Sequence, residues 1–329
     1  MEIIIKDSLR DQVERASEGK QTVIRTSKGY PSYFNVVQAF NCEDIHPTNF
    51  GTGKFPAFIV NGVEKAEIFV ASYQAIICDG QALSLPFQNP KTSINFDKAR
   101  AACVAAGPGF HLMTNWEWAA VALWMVRNGY GDIHGNTNYG KSHKNSEEFG
   151  IPSGDYSKTL TGSGPDSWRH DGSPYGIADL VGNVWEWCDG LKLSSGKIIM
   201  PLDNDYAADE STWLDAGAVI NSEDGAGIQI SNKITDKERG WLDTPFMEII
   251  ENADQPLPVS VHQALLCPCD GSLGISGHVW ADNKKGFEAM PARSGGWGGT
   301  GRCGLAALYL DGARAGANDS VGFRPAFIG

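Results

Sequence analysis

YGIADLVGNVWEWCDG, residues 175–190, is the stretch on which the fold of this chain turns. Its two tryptophans, Trp185 and Trp187, read as core residues. Glu186 between them reads as a surface group or as a buried partner in hydrogen bonds. Two further stretches stand out along the chain. HLMTNWEWAA occupies residues 111–120, and VGFR, residues 321–324, closes a Trp/Gly-framed window that runs RSGGWGGTGRCGLAALYLDGARAGANDSVGFR from Arg293 to Arg324.

Working outward, Thr114 with Glu117 three residues on is a capping box, which predicts a helix over Asn115–Asn128 that ends at Gly129. Asn95–Ala106 carries Phe96, Ala99, Cys103 and Ala106 at amphipathic-helix spacing. Asn61-Gly62 is a hairpin dipeptide between two strand-like runs. Residues 7–19 read as a polar helix followed by a short strand at 22–25, so residues 1–50 are expected to be a small extension and 51–329 the main domain. From Gly129 to about Arg293 the chain is rich in Gly, Ser, Asp and Asn, and regular elements are not assigned there.

The 329 residues carry a formal charge of -12, and no local basic patch offsets it, which disfavours nucleic acid as a partner. No segment approaches the roughly 18 apolar residues of a membrane span. The start, MEIIIKDSLR, has a short apolar run and then charges, so a secretion signal is not expected and synthesis in the cytoplasm is. Seven cysteines at scattered positions do not form the even framework of a secreted scaffold and are expected to be mostly buried thiols. The Cys267-Pro268-Cys269 pair lacks the second pair that a soft-metal site would need.

Taken in order, residues 111–120, 175–190 and 321–324 resemble the formylglycine-generating enzyme and sulfatase-modifying domain. That resemblance covers roughly residues 50–329. It implies an α+β C-type-lectin fold, loop-rich, with short strands and two main helices. It also implies a structural calcium ion held by the side chains of Asp179 and Glu186 and the carbonyls of Gly182 and Val184, a donor set of hard oxygens suited to such an ion. The oxidase branch of the family requires a cysteine pair that would fall near Thr300 and Leu305. Only Cys303 lies in that window, so copper-thiolate chemistry is not expected. The sulfoxide-synthase branch would need a histidine and carboxylate set, and no close helical pair of that kind is present. A metal-dependent oxidase or sulfoxide synthase therefore stands as the alternative to a non-enzymatic binding protein.

The closing window also resembles the variable region of proteins diversified by retroelements in phages and prophages. Gly296, Trp297, Gly304, Leu308, Leu310, Ala313-Arg314 and Gly322-Phe323-Arg324 match the frame. The replaceable positions, and hence the expected ligand surface, are Gly298, Gly299, Thr300, Gly301, Arg302, Cys303, Tyr309, Asp311, Gly312, Ala315, Gly316 and Asn318. Each of these types is reachable from asparagine-like codons by changing adenines, whereas Lys, Glu, Gln and Met, largely unreachable, are missing from residues 295–324. Alternation along Leu308–Asp311 sends the leucines to the core and Tyr309 and Asp311 outward. The resemblance implies a protein or glycan ligand on a cell surface, attachment to a phage particle or a homo-oligomer, and association with the virion.

Overall fold

The computed structural model describes residues 7–46, 49–154, 157–222, 227–235, 240–269 and 273–329. The apolar run at residues 3–5, on which the signal-segment expectation rests, lies outside them. Among the described residues no helix is long and apolar enough to cross a membrane.

The capping box forms as expected. The Thr114 side chain accepts from the Glu117 amide, the Glu117 carboxylate accepts from the Thr114 amide, and the helix runs Asn115–Arg127. Its sequence is apolar on nearly every side, so it is buried all round rather than along one stripe. The second helix runs Phe96–Val104 with Asn95 as its cap, and the amino-terminal one runs Ser8–Ala16. Asn61 and Gly62 both take positive φ and close the hairpin between Ile59–Val60 and Val63–Glu64.

Three larger sheets carry the rest. A five-stranded sheet has the order Gln21–Arg25, Pro31–Gln38, Glu67–Ala71, Pro325–Phe327, Phe110–Leu112. The chain's last strand is thus inserted between two early ones. Residues 21–38, placed in the extension on sequence grounds, are hydrogen-bonded members of this sheet through the pairing of Phe34 with Ala71. A six-stranded sheet built around Lys197–Met200 and Leu214–Asn221 fills much of the stretch left unassigned on sequence. The second six-stranded sheet positions the site. Its order is Trp241–Pro245, His278–Asp282, Gly304–Leu310, Ala292–Ser294, Trp185–Trp187, Val321–Phe323.

On one face of that sheet Leu308 and Leu310 enter the main core, while the indole of Trp118 donates to the Leu305 carbonyl at 2.8 Å. On the opposite face the helix Phe96–Val104 covers only part of the surface. Phe96 meets Trp187 edge to face at 6.2 Å, and that end is sealed with Ala292 and Phe323. The sequence expectation of two core tryptophans therefore needs correction. Trp187 is buried at 2%, but Trp185 is only partly covered.

His111 ties the capped helix to the five-stranded sheet. Its Nδ1 faces the Gly109 carbonyl and its Nε2 the Glu117 carboxylate, both at 2.9 Å. Two acceptors require both ring nitrogens to carry protons. Burial works against that charge, but Glu117 and the Gly109 carbonyl outweigh it and raise the pKa above 6.5.

Two outcomes follow for folding. Trp187→Ala should lower the unfolding free energy by about 3–5 kcal/mol in a denaturant titration, and Trp185→Ala by markedly less, because only the former opens a closed cavity. The His111 contribution is fully present below its unfolded pKa and is lost as pH rises through the raised folded value. The stability advantage of the wild type over His111→Gln should therefore be full below about pH 6.5 and shrink as the pH rises above it.

Candidate ligand surface and the replaced cation site

The loop that carries the site leaves the sheet at a register shift between Arg293 and Ser294. Bulges re-aim a strand next to functional sites. Ser294 takes φ of 91° and Gly295 of 100°. At Gly295 a side chain would be strained by that φ and would lie 2.5 Å from the Cys303 sulfur, which explains a glycine there. The loop is then pinned by backbone bonds, from the Trp297 amide to the Asn183 carbonyl at 3.1 Å and from the Thr300 amide to the Thr137 carbonyl at 2.9 Å. It returns to the sheet at Gly304–Leu310.

Between this loop and the uncovered part of the sheet lies an open pocket of about 410 Å³. Trp185, Trp280, Trp297 and Tyr309 supply its aromatic surface, and Arg302 and Asp319 its charges. Trp280 and Tyr309 are paired across adjacent parallel strands. Trp185 stands edge to face with Trp280 at 5.4 Å and tilted against Tyr309 at 5.7 Å. Arg302 donates to Asp243 at 3.1 Å, and Asp243 in turn faces His278 at 3.0 Å, so the guanidinium is braced from behind by the edge strand.

Of the twelve positions expected on the ligand surface, Gly298, Gly299, Arg302, Cys303 and Tyr309 line this pocket. Thr300 and Gly301 are exposed on the same loop, and Ala315 and Asn318 are exposed on the turn that leads to Val321. Gly316 is half-buried. Asp311 points outward as expected but accepts the Trp241 indole N–H at 2.6 Å. Two positions do not behave as free surface. Gly312 is buried against Tyr309 and Trp187, and Cys303 is 3% exposed. The Cys303 thiol donates to the Gly296 carbonyl at 3.2 Å, and burial pushes it up to about 12, far from a reactive thiolate. Burial, with Asp311 beside it, likewise raises the Tyr309 hydroxyl to about 12. Sequence reasoning missed Trp280, His278 and Asp243. The alternating run His278–Asp282 was the available signal for the first two, lying in a region whose turn-rich composition masked it.

The residues expected to hold calcium converge, but they do not fit a divalent cation. The side-chain amide of Gln74 occupies their midst. Its nitrogen donates to the Glu186 carboxylate at 2.9 Å, the Val184 carbonyl at 3.2 Å and the Asp179 carbonyl at 3.3 Å. The amide orientation is set by its oxygen, which accepts from Asn183 at 2.8 Å. Arg324 engages both Glu186 oxygens at 2.8 and 2.7 Å. Ser294 donates to the Gly182 carbonyl, and the Gly162 amide to the Asp179 carboxylate, whose pKa burial raises. Each of the four groups that calcium would use already accepts a hydrogen bond, and a guanidinium supplies the compensating charge to Glu186. Among the described residues no group of three or more His, Cys, Asp or Glu side chains could hold a metal ion.

A chelator should accordingly leave the thermal midpoint within about 1 °C of that in millimolar calcium, whereas Gln74→Ala, which strips hydrogen bonds from three buried oxygens, should lower it by several degrees. A calcium-dependent rise in the wild type would show that the ion displaces the amide.

No curated protein is matched by sequence. Among solved structures the chain is similar to PvdO from Pseudomonas aeruginosa, at 12% identity and a TM-score of 0.40 over 93% of this chain and 97% of that one. It is similar to Treponema denticola variable protein 1, at 12% identity and 0.36 over 93% and 98%. It is also similar to the Major Tropism Determinant U1 variant, at 10% identity and 0.34 over 90% and 62%. The family model of the sulfatase-modifying factor enzyme 1-like domain matches residues 35–207, more than half of the chain, and ends before the pocket loop. The chain belongs to the sulfatase-modifying factor enzyme 1-like domain family.

Proposed function

We propose that this chain is a non-enzymatic binding protein whose ligand surface is the pocket and loop of the closing window, diversified by a retroelement and displayed on a phage or prophage particle for recognition of a cell surface. The observation that carries the reading is the division of labour within residues 293–324. Gly304, Leu308, Leu310 and Gly322-Phe323-Arg324 of the frame are buried, while Arg302, Tyr309, Trp297 and the glycine-rich loop that precedes Arg302 line an open aromatic pocket. Rigid scaffolds that present replaceable side chains are the arrangement of adaptable binding surfaces. Tyr and Arg are the types that supply most binding energy at such surfaces. The oxidase alternative is disfavoured by Cys303, a single thiol that is buried, hydrogen-bonded and raised in pKa. Display in many copies on a particle would convert weak single-site affinity into avidity.

The test is genetic and biochemical together. A near-copy of the codons for Arg293–Arg324 is expected beside a reverse-transcriptase gene, differing only where the copy has adenines. Tyr309→Ala should weaken attachment to the target cell about tenfold or more while leaving the thermal midpoint within a few degrees of wild type. Absence of the copy would remove the diversification part of the reading, and undiminished attachment by the variant would remove the pocket.

A further inference from the structure

Resting on that reading of the pocket, we infer that its ligand is a carboxylate-bearing sugar unit of a surface glycan. The pocket is concave and lies within the roughly 300–1,000 Å³ range of sites that enclose a compact group, whereas a flat protein epitope needs no such recess. Trp118, Trp168, Trp187 and Trp241 all donate their indole N–H to a protein oxygen. Trp185, Trp280 and Trp297 have no acceptor among the described residues, and their indole nitrogens are not sealed from solvent. The Trp185 pyrrole edge runs along Gly296, where a methyl group would lie 3.4 to 3.5 Å from it, so that edge belongs to the pocket wall.

Arg302 adds to the excess of donors. One of its terminal nitrogens is held by Asp243, and its other N–H groups have no partner among the described residues. The edge left over is the one that pairs with a carboxylate through two parallel hydrogen bonds. The Trp185 N–H at the wall and the free edge of the Arg302 guanidinium call for a guest rich in acceptors and negatively charged. The perpendicular rings of Trp185 and Trp280 call for a guest with a flat apolar face as well. An acidic sugar meets both demands, with the ring face on an indole, a hydroxyl or ring oxygen on the Trp185 N–H, and the carboxylate on Arg302. Asp319 on the wall then serves as an acceptor for one sugar hydroxyl. A quaternary ammonium guest would use the same aromatic walls, but it would leave the indole donors unpaired and face the guanidinium. Gly296, Gly298 and Gly299 line the recess without side chains, which leaves room for a ring.

The experiment is a titration of intrinsic tryptophan fluorescence in the full chain with glucuronic-acid-terminated oligosaccharides and their glucose-terminated counterparts. Saturable quenching by the acidic series is expected, at least about tenfold tighter than by the neutral one. Arg302→Gln should abolish the difference between the series, and Trp280→Ala should weaken both. Equal binding of both series, or no response to either, overturns the acidic-sugar assignment. If attachment to cells survives enzymatic removal of their glycans but is still lost in Tyr309→Ala, the guest is protein and the pocket reading stands. If both Tyr309→Ala and Trp280→Ala attach normally, the pocket reading itself fails along with the inference.

Discussion

The bidentate pair between Glu186 and Arg324 is the interaction on which the rest depends. Both side chains are essentially without solvent contact, at 1% and 0% exposure. Burying an ion pair removes two hydration shells, and the loss is offset only where geometry is good and the remaining protons find acceptors. Here they do. Beyond the two bonds to Glu186, the guanidinium donates to the Ala71 carbonyl at 2.8 Å and the Ala178 carbonyl at 2.9 Å. Those carbonyls belong to the five-stranded sheet and to the turn before Asp179, so one side chain near the carboxyl terminus fastens two sheets and a loop. Gln74 completes the arrangement from a third direction. In a region with little regular structure, this polar network does what a bound cation does elsewhere, holding backbone carbonyls that have no strand partner.

A second buried arginine opens the same window. Arg293 is fully buried, donates to the Asn115 side chain at 2.9 and 2.7 Å and to the Ala264 and Leu265 carbonyls, and has no carboxylate partner among the described residues. Burial lowers its pKa to about 10. The window is therefore clamped at both ends by guanidinium groups whose partners lie largely outside it: the capped helix and the Ala264 and Leu265 carbonyls for Arg293, and Glu186, Ala178 and the strand before Gln74 for Arg324. Between them Leu305, Leu308, Leu310 and Phe323 are core residues, and it is the exposed positions, such as Thr300, Gly301, Arg302, Ala315 and Asn318, that can change side chains at low cost to stability.

Much of this was legible in the sequence for a physical reason. Capping boxes, hairpin dipeptides and the three ordered motifs are local signals, and each marked an element that formed as expected. The outward register of Tyr309 and Asp311 was legible for the same reason, since strand alternation is local. Calcium ligation was not decidable locally. Asp179, Gly182, Val184 and Glu186 carry the pattern, but the group in their midst comes from Gln74, more than a hundred residues away, and nothing in residues 175–190 reveals it. Trp185 shows the complementary limit. Its spacing from Trp187 suggests an equal fate, yet Phe96 and Phe323 close over Trp187 while Trp185 stands against Trp280 and Tyr309 at the open pocket.

The same geometry limits which positions of the surface can vary independently. A side chain at position 299 would start 2.5 Å from the Cys303 sulfur, and one at 312 would start 2.8 Å from the Tyr309 ring. Positions 299 and 303 therefore share one volume, as do 309 and 312. A larger group at one requires a smaller group at the other, because a packed interior cannot absorb even a methylene without displacement. Arg302 stands outside both couplings, exposed and held only by its bond to Asp243. Changes there alter the pocket's charge without repacking its floor. Chemical character and shape are thus set by different residues, and the surface can exchange the charge it presents to a ligand while keeping its aromatic walls in place.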